Sequence, residues 1–346
     1  MNVDLKKLSD QVIVITGASS GIGLATAEMA ADQGAKVVLV ARNEEELKRL
    51  ARRLKKEGKE VEYAVGDVAD EHAMEKVAEK AINRFGRIDT WVNNAAVSIY
   101  GRLTKTSMKE KRRLFDVNFW GVVNGCRAAL PHLQKQGGAL INIGSILSER
   151  AIPLQGAYVA SKHAVKGYTD SLRMELESEE APISVTLVMP GAIDTPYTEH
   201  ARNHLNESSS QKNRQPVHTP PVYAPEVVAK AILECAQKPV RNVYVGGSAK
   251  FYSLLEKFAP RAVDLYMEKK MLEEGQSRTD LLKSRSRDSL FRPSKDGDVH
   301  GRYPGHVLKS SIFTTASLHP VAAVVVAGGV TTLASMFLRK RRKIAA

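Results

Sequence analysis

The sequence predicts an α/β fold, a doubly wound parallel sheet of about seven strands with helices on both faces. Short apolar, often β-branched runs recur along the first 250 residues and alternate with longer stretches of helical composition. Runs such as Val12-Ile13-Val14-Ile15 are apolar throughout rather than alternating, as expected of strands covered on both faces. The first run passes straight into a glycine-rich turn and then a helix.

That turn is Thr16-Gly17-Ala18-Ser19-Ser20-Gly21-Ile22-Gly23, followed by the helix Leu24 to Gln33. Its spacing differs from G-x-G-x-x-G, but the physics is shared. Glycines permit the tight turn and the close approach of a pyrophosphate, and the following helix offers its N-terminal amides to the anion. The stretch is therefore a dinucleotide-site candidate. The second strand, Lys36 to Val40, leads into Ala41-Arg42-Asn43. An acid at this strand end suits the ribose of NAD, whereas an arginine accepts the 2'-phosphate of NADP. Arg42 thus points to NADP(H) in preference to NAD(H); a solvated surface arginine is the plainer alternative.

Glu44 to Glu57 reads as a charged scaffold helix, with Leu47, Leu50 and Leu54 at helical spacing. Val61 to Val65 is the third strand, ended by Gly66-Asp67-Val68, and Glu71 to Arg84 is the crossover helix after it. Ile88 to Val92 is the fourth strand and runs into Asn93-Asn94-Ala95-Ala96. A long helix, Ser107 to Gln134, carries Asn118, an unfavourable interior residue because its amide competes for backbone hydrogen bonds. Ala139 to Gly144 is a buried strand with Ser145 at its end. Ser148 to Gln155 is a loop made apolar, with the residues before it, by Ile146, Leu147, Ile152 and Leu154.

The helix Ala157 to Glu180 follows and holds Tyr158 and Lys162 on one face. A free phenol, with a pKa of about 10, is a poor acid or base at neutral pH. An ammonium one turn away is expected to draw it down toward the working range. Ile183 to Val188 is the sixth strand, closed by Pro190-Gly191-Ala192-Ile193-Asp194-Thr195-Pro196. A polar loop, 197 to 222, then Ala224 to Gln237 as a helix and Asn242 to Gly246 as the last strand complete the domain.

These motifs together resemble the short-chain dehydrogenase/reductase family, in its branch with a one-domain subunit, over about residues 9 to 250. The resemblance implies a Rossmann-type domain of residues 1–250. It makes Tyr158 the acid/base and Ser145 a hydrogen-bond partner of the reacting oxygen. Lys162 shifts the tyrosine and bonds the nicotinamide ribose, and Asn118 completes a proton relay. It places Gly17, Ser19, Ser20, Gly21, Ile22, Gly23, Asn94 and Ala95 against the cofactor, Asp67 and Val68 at its adenine, and Pro190, Gly191, Ile193 and Thr195 beside the nicotinamide carboxamide. Ala96 stands where the family has glycine. The 197–222 loop is the family's substrate lid, and oligomers form through helices equivalent to 107–134 and 157–180.

The composition, 43% hydrophobic and 26% charged, is that of a globular protein. Cys126 and Cys235 are in neither a CxxC nor a metal-ligand arrangement and read as buried thiols. His200, His204 and His218 lack ligand spacing, so no metal is expected. The polar N-terminus has no secretory apolar core, which implies a cytoplasmic catalytic domain. Of the net charge of +13, residues from Arg261 onward contribute 16 Lys and Arg against 8 Asp and Glu, leaving 35 against 30 before them. The basicity belongs to the C-terminal extension, and no nucleic-acid recognition module accompanies it.

Phe251 to Glu274 is expected to be helical, 275–317 to be a flexible basic linker, and 318–346 to be an apolar segment with a basic end. Val321 to Leu338 carries no charge over 18 residues, the lower limit for a spanning helix, and Arg339-Lys340-Arg341-Arg342-Lys343 follows. Membrane association is expected from this segment, whether it spans the membrane or lies in its interface, with packing on a partner subunit as the alternative. The function these readings imply is NADP(H)-dependent interconversion of a lipophilic alcohol with its ketone or aldehyde. The alternatives are an NADP(H)-binding regulatory or scaffold protein without turnover, and the same enzyme preferring NAD(H). An epimerase of the extended branch would want G-x-x-G-x-x-G, which is absent.

Overall fold

The computed structural model describes residues 3–205, 214–216, 220–246, 258–269, 271–272, 276–278, 288–294 and 297–319. Seven parallel strands form its central sheet: β1 (Val12–Thr16), β2 (Lys36–Ala41), β3 (Val61–Val65), β4 (Thr90–Asn93), β5 (Gly138–Ile143), β6 (Ile183–Pro190) and β7 (Asn242–Val245). Their spatial order is β7-β6-β5-β4-β1-β2-β3. The chain winds outward from β1 in one direction and from β4 in the other. The crevice beyond the carboxyl ends of β1 and β4 is therefore the switch point at which such sheets bind ligands.

The apolar runs are explained by the two cores. Val12 and Val14 point into one cluster with Trp91, Leu140 and Leu187, while Ile13 and Ile15 point into the other with Leu39, Ile141 and Val188. Both sets are buried, so Val12 to Ile15 are apolar on both faces of the sheet. Helix α1 (Gly21–Asp32) packs on α7 (Pro225–Cys235), and α2 (Glu44–Lys56) lays Leu47, Leu50 and Leu54 into the same cluster. Helix α3 (Glu71–Phe85) packs on α5 (Gly121–Gln136) over the other face, where α6 (Gly156–Ser178) also lies.

The helix expected over 107–134 is more elaborate. It starts at α4 (Met108–Phe115) with a capping box between Ser107 and Glu110, widens to a π-turn at Asp116–Trp120, and continues as α5. Asn118 sits in the π-turn, a local widening that recurs at functional sites. Cys126 and Cys235 are free and buried.

The stretch 275–317 departs from the expectation of a flexible linker. Its described parts pack on the domain: Leu290 is fully buried, and Val307–Leu308 pairs with Val222–Tyr223, which pairs in turn with Ala192–Ile193. Helix α9 (Ile312–Leu318) docks through Thr314, whose hydroxyl donates to Tyr244 O at 3.2 Å and accepts from Gly246 N at 3.1 Å. Within the helical expectation of 251–274, α8 spans Pro260–Lys269. Among the described residues no helix is long and apolar enough to cross a membrane; the 321–338 segment lies outside them.

Where α5 crosses β4 the approach is set by Gly125. A Cβ there would stand 2.0 Å from Asn93 Oδ1 and 2.8 Å from Trp91 Nε1, two atoms that bond each other at 2.8 Å. Gly125→Ala is therefore expected to destabilise the protein by about 2 kcal/mol in urea denaturation, overpacking outweighing the gain of about 1 kcal/mol in helix propensity. Unchanged or raised stability would refute this account of the contact.

Candidate active site

At the switch point a cavity of about 370 Å³ runs from the glycine turn to the N-terminal end of α6. Gly17 has φ +69° and Gly21 φ +55°, conformations that side chains disfavour. A Cβ on Gly23 would lie 2.2 Å from Gly17 O, so the third glycine lets α1 close on the turn; it does not line the cavity. Ser19, Ser20 and Ile22 line it beside Gly17 and Gly21. Thr16 holds the other side of the crevice. Its hydroxyl donates to Val92 O and accepts from the amides of Asn94 at 2.9 Å and Ala95 at 3.1 Å, while Asn94 Nδ2 donates to Thr16 O at 2.9 Å.

Arg42, leaving β2, lines the outer end with Asp67 and Val68. Arg113 of α4 hydrogen-bonds Asp67 Oδ2, and Arg42 Nη1 lies 3.9 Å from the same oxygen. Two guanidiniums thus face one carboxylate. Burial pulls the Arg42 guanidinium below its ordinary pKa, opposed by Asp67 and reinforced by Arg113. Pro190, Gly191, Ile193 and Thr195 line the inner end.

Ser145, Tyr158 and Lys162 meet on the cavity wall, each less than a tenth exposed. The Ser145 hydroxyl accepts from Leu147 N at 3.1 Å, which fixes its place at the head of a short 3-10 turn, Ile146–Ser148. Lys162 Nζ donates to Ile143 O at 2.7 Å and stands 5.8 Å from the centre of the Tyr158 ring. Burial brings Lys162 down to about 8.

Tyr158 differs from the sequence expectation. Burial pushes its phenol up, and the opposing pull comes from hydrogen bonding to Tyr197 and Ser145. The reason is geometric, since the lysine spends its short hydrogen bond on a backbone carbonyl. Asn118 also departs from expectation. Its side chain is fully buried behind the cavity, accepting from Val97 N at 2.8 Å and donating to Val97 O at 3.0 Å and to Ser161 Oγ at 3.2 Å. It fixes the segment after β4 and does not line the cavity.

Several lining residues lie outside the motifs, although Tyr266 and Met267 are among the apolar side chains that the helical stretch 251–274 offers to the core or the active site. Tyr197, the first residue of the 197–222 loop, has its ring centre 5.8 Å from that of Tyr158. Beyond residue 250, Tyr266 and Met267 of α8, and Met271, form an apolar wall with Ile146, Leu147 and Ile152. Arg150 Nη2, in the 148–155 loop, ties that loop to α8 through Asp264 at 2.8 Å. In the 197–222 loop, Arg202–Asn203 pairs with Ile99–Tyr100 and His204 contacts Glu110 at 3.1 Å; His218 lies outside the described residues. Among the described residues no group of three or more candidate ligands could hold a metal ion.

The residues fit a dinucleotide: a glycine cradle that a Cβ would fill, helix α1 starting at the turn, and a cation at the outer end.

Comparison with known proteins agrees. A short chain dehydrogenase family model matches residues 11–206. An oxidoreductase of Bacillus subtilis named YxnA, itself uncharacterised, is 45% identical over 334 residues, 96% of this chain and 92% of its own, so the match runs through the C-terminal extension. A 3-ketodihydrosphingosine reductase of Bacteroides thetaiotaomicron is 39% identical over 205 residues, 59% of this chain and 71% of its own. Two solved structures are similar. An alcohol dehydrogenase of Thermococcus sibiricus complexed with 5-hydroxy-NADP has a TM-score of 0.59 at 30% identity, over 68% of this chain and 95% of that one. A short chain dehydrogenase/reductase of Burkholderia phymatum in complex with NAD has a TM-score of 0.62 at 26% identity, over 80% and 99%.

The buried lysine sets a cost on folding. Its pKa is lowered from 10.5 to about 8, so at pH below about 8 the folded state carries the whole penalty of the buried charge. That penalty shrinks as pH rises through the window from about 8 to 10.5, where the unfolded chain holds the proton longer. Lys162→Met is expected to be more stable than the unmodified protein at pH 7 by on the order of 3 kcal/mol, less the lost hydrogen bond to Ile143. The difference should vanish above pH ~10.5, the unfolded-lysine value. Thermal unfolding across pH checks it; a destabilised variant at pH 7 would contradict it.

Proposed function

The chain belongs to the short-chain dehydrogenase/reductase family and is an oxidoreductase of that kind, and from this we propose that it interconverts a lipophilic alcohol and its ketone or aldehyde with NADP(H). The observation that carries the proposal is the joining of Tyr158, Ser145 and Lys162 on one buried cavity that runs on to Arg42. A nicotinamide cofactor bound there supplies or accepts the hydride. Gly17, Ser19, Ser20, Gly21, Ile22, Asn94 and Ala95 would hold its phosphates and ribose, Asp67 and Val68 its adenine, and Pro190, Gly191, Ile193 and Thr195 its carboxamide end.

The protein's own part is to manage the charge that develops on the substrate oxygen. Tyr158 donates a proton to that oxygen in reduction and takes it back in oxidation. Burial keeps the phenol protonated at neutral pH, which suits the donor role. Ser145 hydrogen-bonds the same oxygen, and Tyr197 supports the phenolate left behind. Lys162, brought down to about 8 by burial, supplies a positive charge one helical turn away and would hold the cofactor's ribose.

Two features support the finer assignments. Arg42 and Arg113 face the single carboxylate of Asp67, a surplus of positive charge suited to the 2'-phosphate of NADP and without use for the bare hydroxyl of NAD. The apolar wall of Ile146, Leu147, Ile152, Met267 and Met271 favours a lipophilic substrate, and the likeness to a reductase named for 3-ketodihydrosphingosine supports the same reading. Membrane association through 321–338, and assembly into a homo-oligomer, remain part of the proposal.

Arg42→Gln is expected to lower kcat/KM for NADPH by at least tenfold while leaving that for NADH within about twofold, a loss of one charged hydrogen bond of about 1.5–3 kcal/mol. Equal losses for both cofactors would refute the 2'-phosphate assignment. Tyr158→Phe should retain NADPH binding and lose turnover of apolar aldehydes and ketones by at least 10²-fold. Full binding with no turnover by the unmodified protein would favour a sensor or scaffold role.

A further inference from the structure

The C-terminal extension returns across the mouth of the cleft from end to end. At the outer end, Arg42 donates to the carbonyls of Ser289 and Leu290, and Arg113 Nε donates to Leu290 O at 3.0 Å. Asn43 Nδ2 donates to Ser294 O at 2.6 Å. At the glycine turn, Gly21 N donates to Asp298 O at 2.9 Å. At the inner end, Gly301 N donates to Asp194 O and Tyr303 N to Asp194 Oδ1, each at 3.3 Å. Leu308 then enters the short sheet beside Tyr223. The outer, central and inner parts of the expected dinucleotide site are all tied to one segment.

Three facts make this segment a wall and not a plug. The cavity persists beneath it, with Ser289, Pro293 and Ser294 among its lining residues. Its described residues offer carbonyl dipoles to Arg42 and no carboxylate, so Arg42 and Arg113 still share the one carboxylate of Asp67. It is anchored by its own contacts: Leu290 is buried among core residues, Asp288 Oδ2 pairs with Arg202 Nε at 3.0 Å, and Ser289 N donates to His200 O at 2.8 Å. Arg202 and His200 belong to the 197–222 loop, so the strap and that loop are joined.

We propose that residues 288–294 and 297–308 are a built-in part of the cofactor site. They close over the bound dinucleotide, with Ser289, Pro293 and Ser294 as the outer wall of its adenosine end, and cofactor enters and leaves when this strap lifts. The inference rests on the NADP(H) reading above.

The test is the rate of NADPH release from the full-length chain, followed by fluorescence after a chase with excess NADP. Asp288→Ala, which removes the pair with Arg202, and Leu290→Ala, which loosens the buried anchor, are each expected to release NADPH at least tenfold faster than the unmodified protein. Tight binding with unchanged release in both variants would overturn the strap while sparing the NADP(H) reading. No NADPH binding by the unmodified chain would overturn that reading and the strap with it. Limited trypsin digestion of the unmodified protein adds a measurement free of folding effects. Cleavage after Arg302 should slow under saturating NADPH; faster cleavage there would mean that cofactor displaces the strap, and would also overturn the proposal.

Discussion

The structure depends on how β1 and β4 are held apart at their carboxyl ends. They pair side by side within the sheet, Val14 opposite Trp91, yet their continuations must diverge to open the crevice. Thr16 does this with one hydroxyl that donates to Val92 O and accepts from two successive amides of the 94–95 segment. Asn94 returns a side-chain hydrogen bond to Thr16 O and closes the clamp. The glycine turn can then fold on itself, with Gly23 packed against Gly17 O at a distance that no side chain would permit. The cradle, the strand ends around it and the wall opposite all take their places from this clamp.

Chemistry in that crevice is gained against folding stability. Tyr158, Lys162 and Ser145 are nearly buried, and the lysine brings no carboxylate with it; its short hydrogen bond goes to the neutral carbonyl of Ile143. A buried ammonium in that position is costly, which is why its pKa falls to about 8. The same dryness raises the Tyr158 phenol and strengthens whatever charge the reaction places nearby. Groups that a stable core would exclude are kept because the fold supplies enough apolar burial elsewhere to tolerate them.

The fold was legible in the sequence wherever a single constraint fixed a residue type. Both faces of β1 are covered, so Val12 to Ile15 had to be apolar throughout; the turn after it had to be glycine; and Tyr158 and Lys162 had to share a helix face. What was not legible depends on contacts distant in the chain. The π-turn at Asp116–Trp120 leaves no periodicity signal, and it moves the Asn118 side chain into a structural role at Val97. Tyr197 meets Tyr158 only because the chain just after Pro196 turns toward the cavity. The stretch holding Leu290 and Asp298 reads as a polar basic linker because it is fixed through backbone carbonyls and one buried leucine, neither of which composition reveals.

The most direct measurement of the central claim is the steady-state rate of NADPH oxidation by the full-length protein against a homologous series of carbonyl compounds of increasing apolar length. The account predicts that kcat/KM rises with chain length as the wall of Ile152, Met267 and Met271 is covered, by up to about threefold to fourfold per buried methylene. Turnover confined to small polar carbonyls, or a rate that falls with every added methylene, would contradict it.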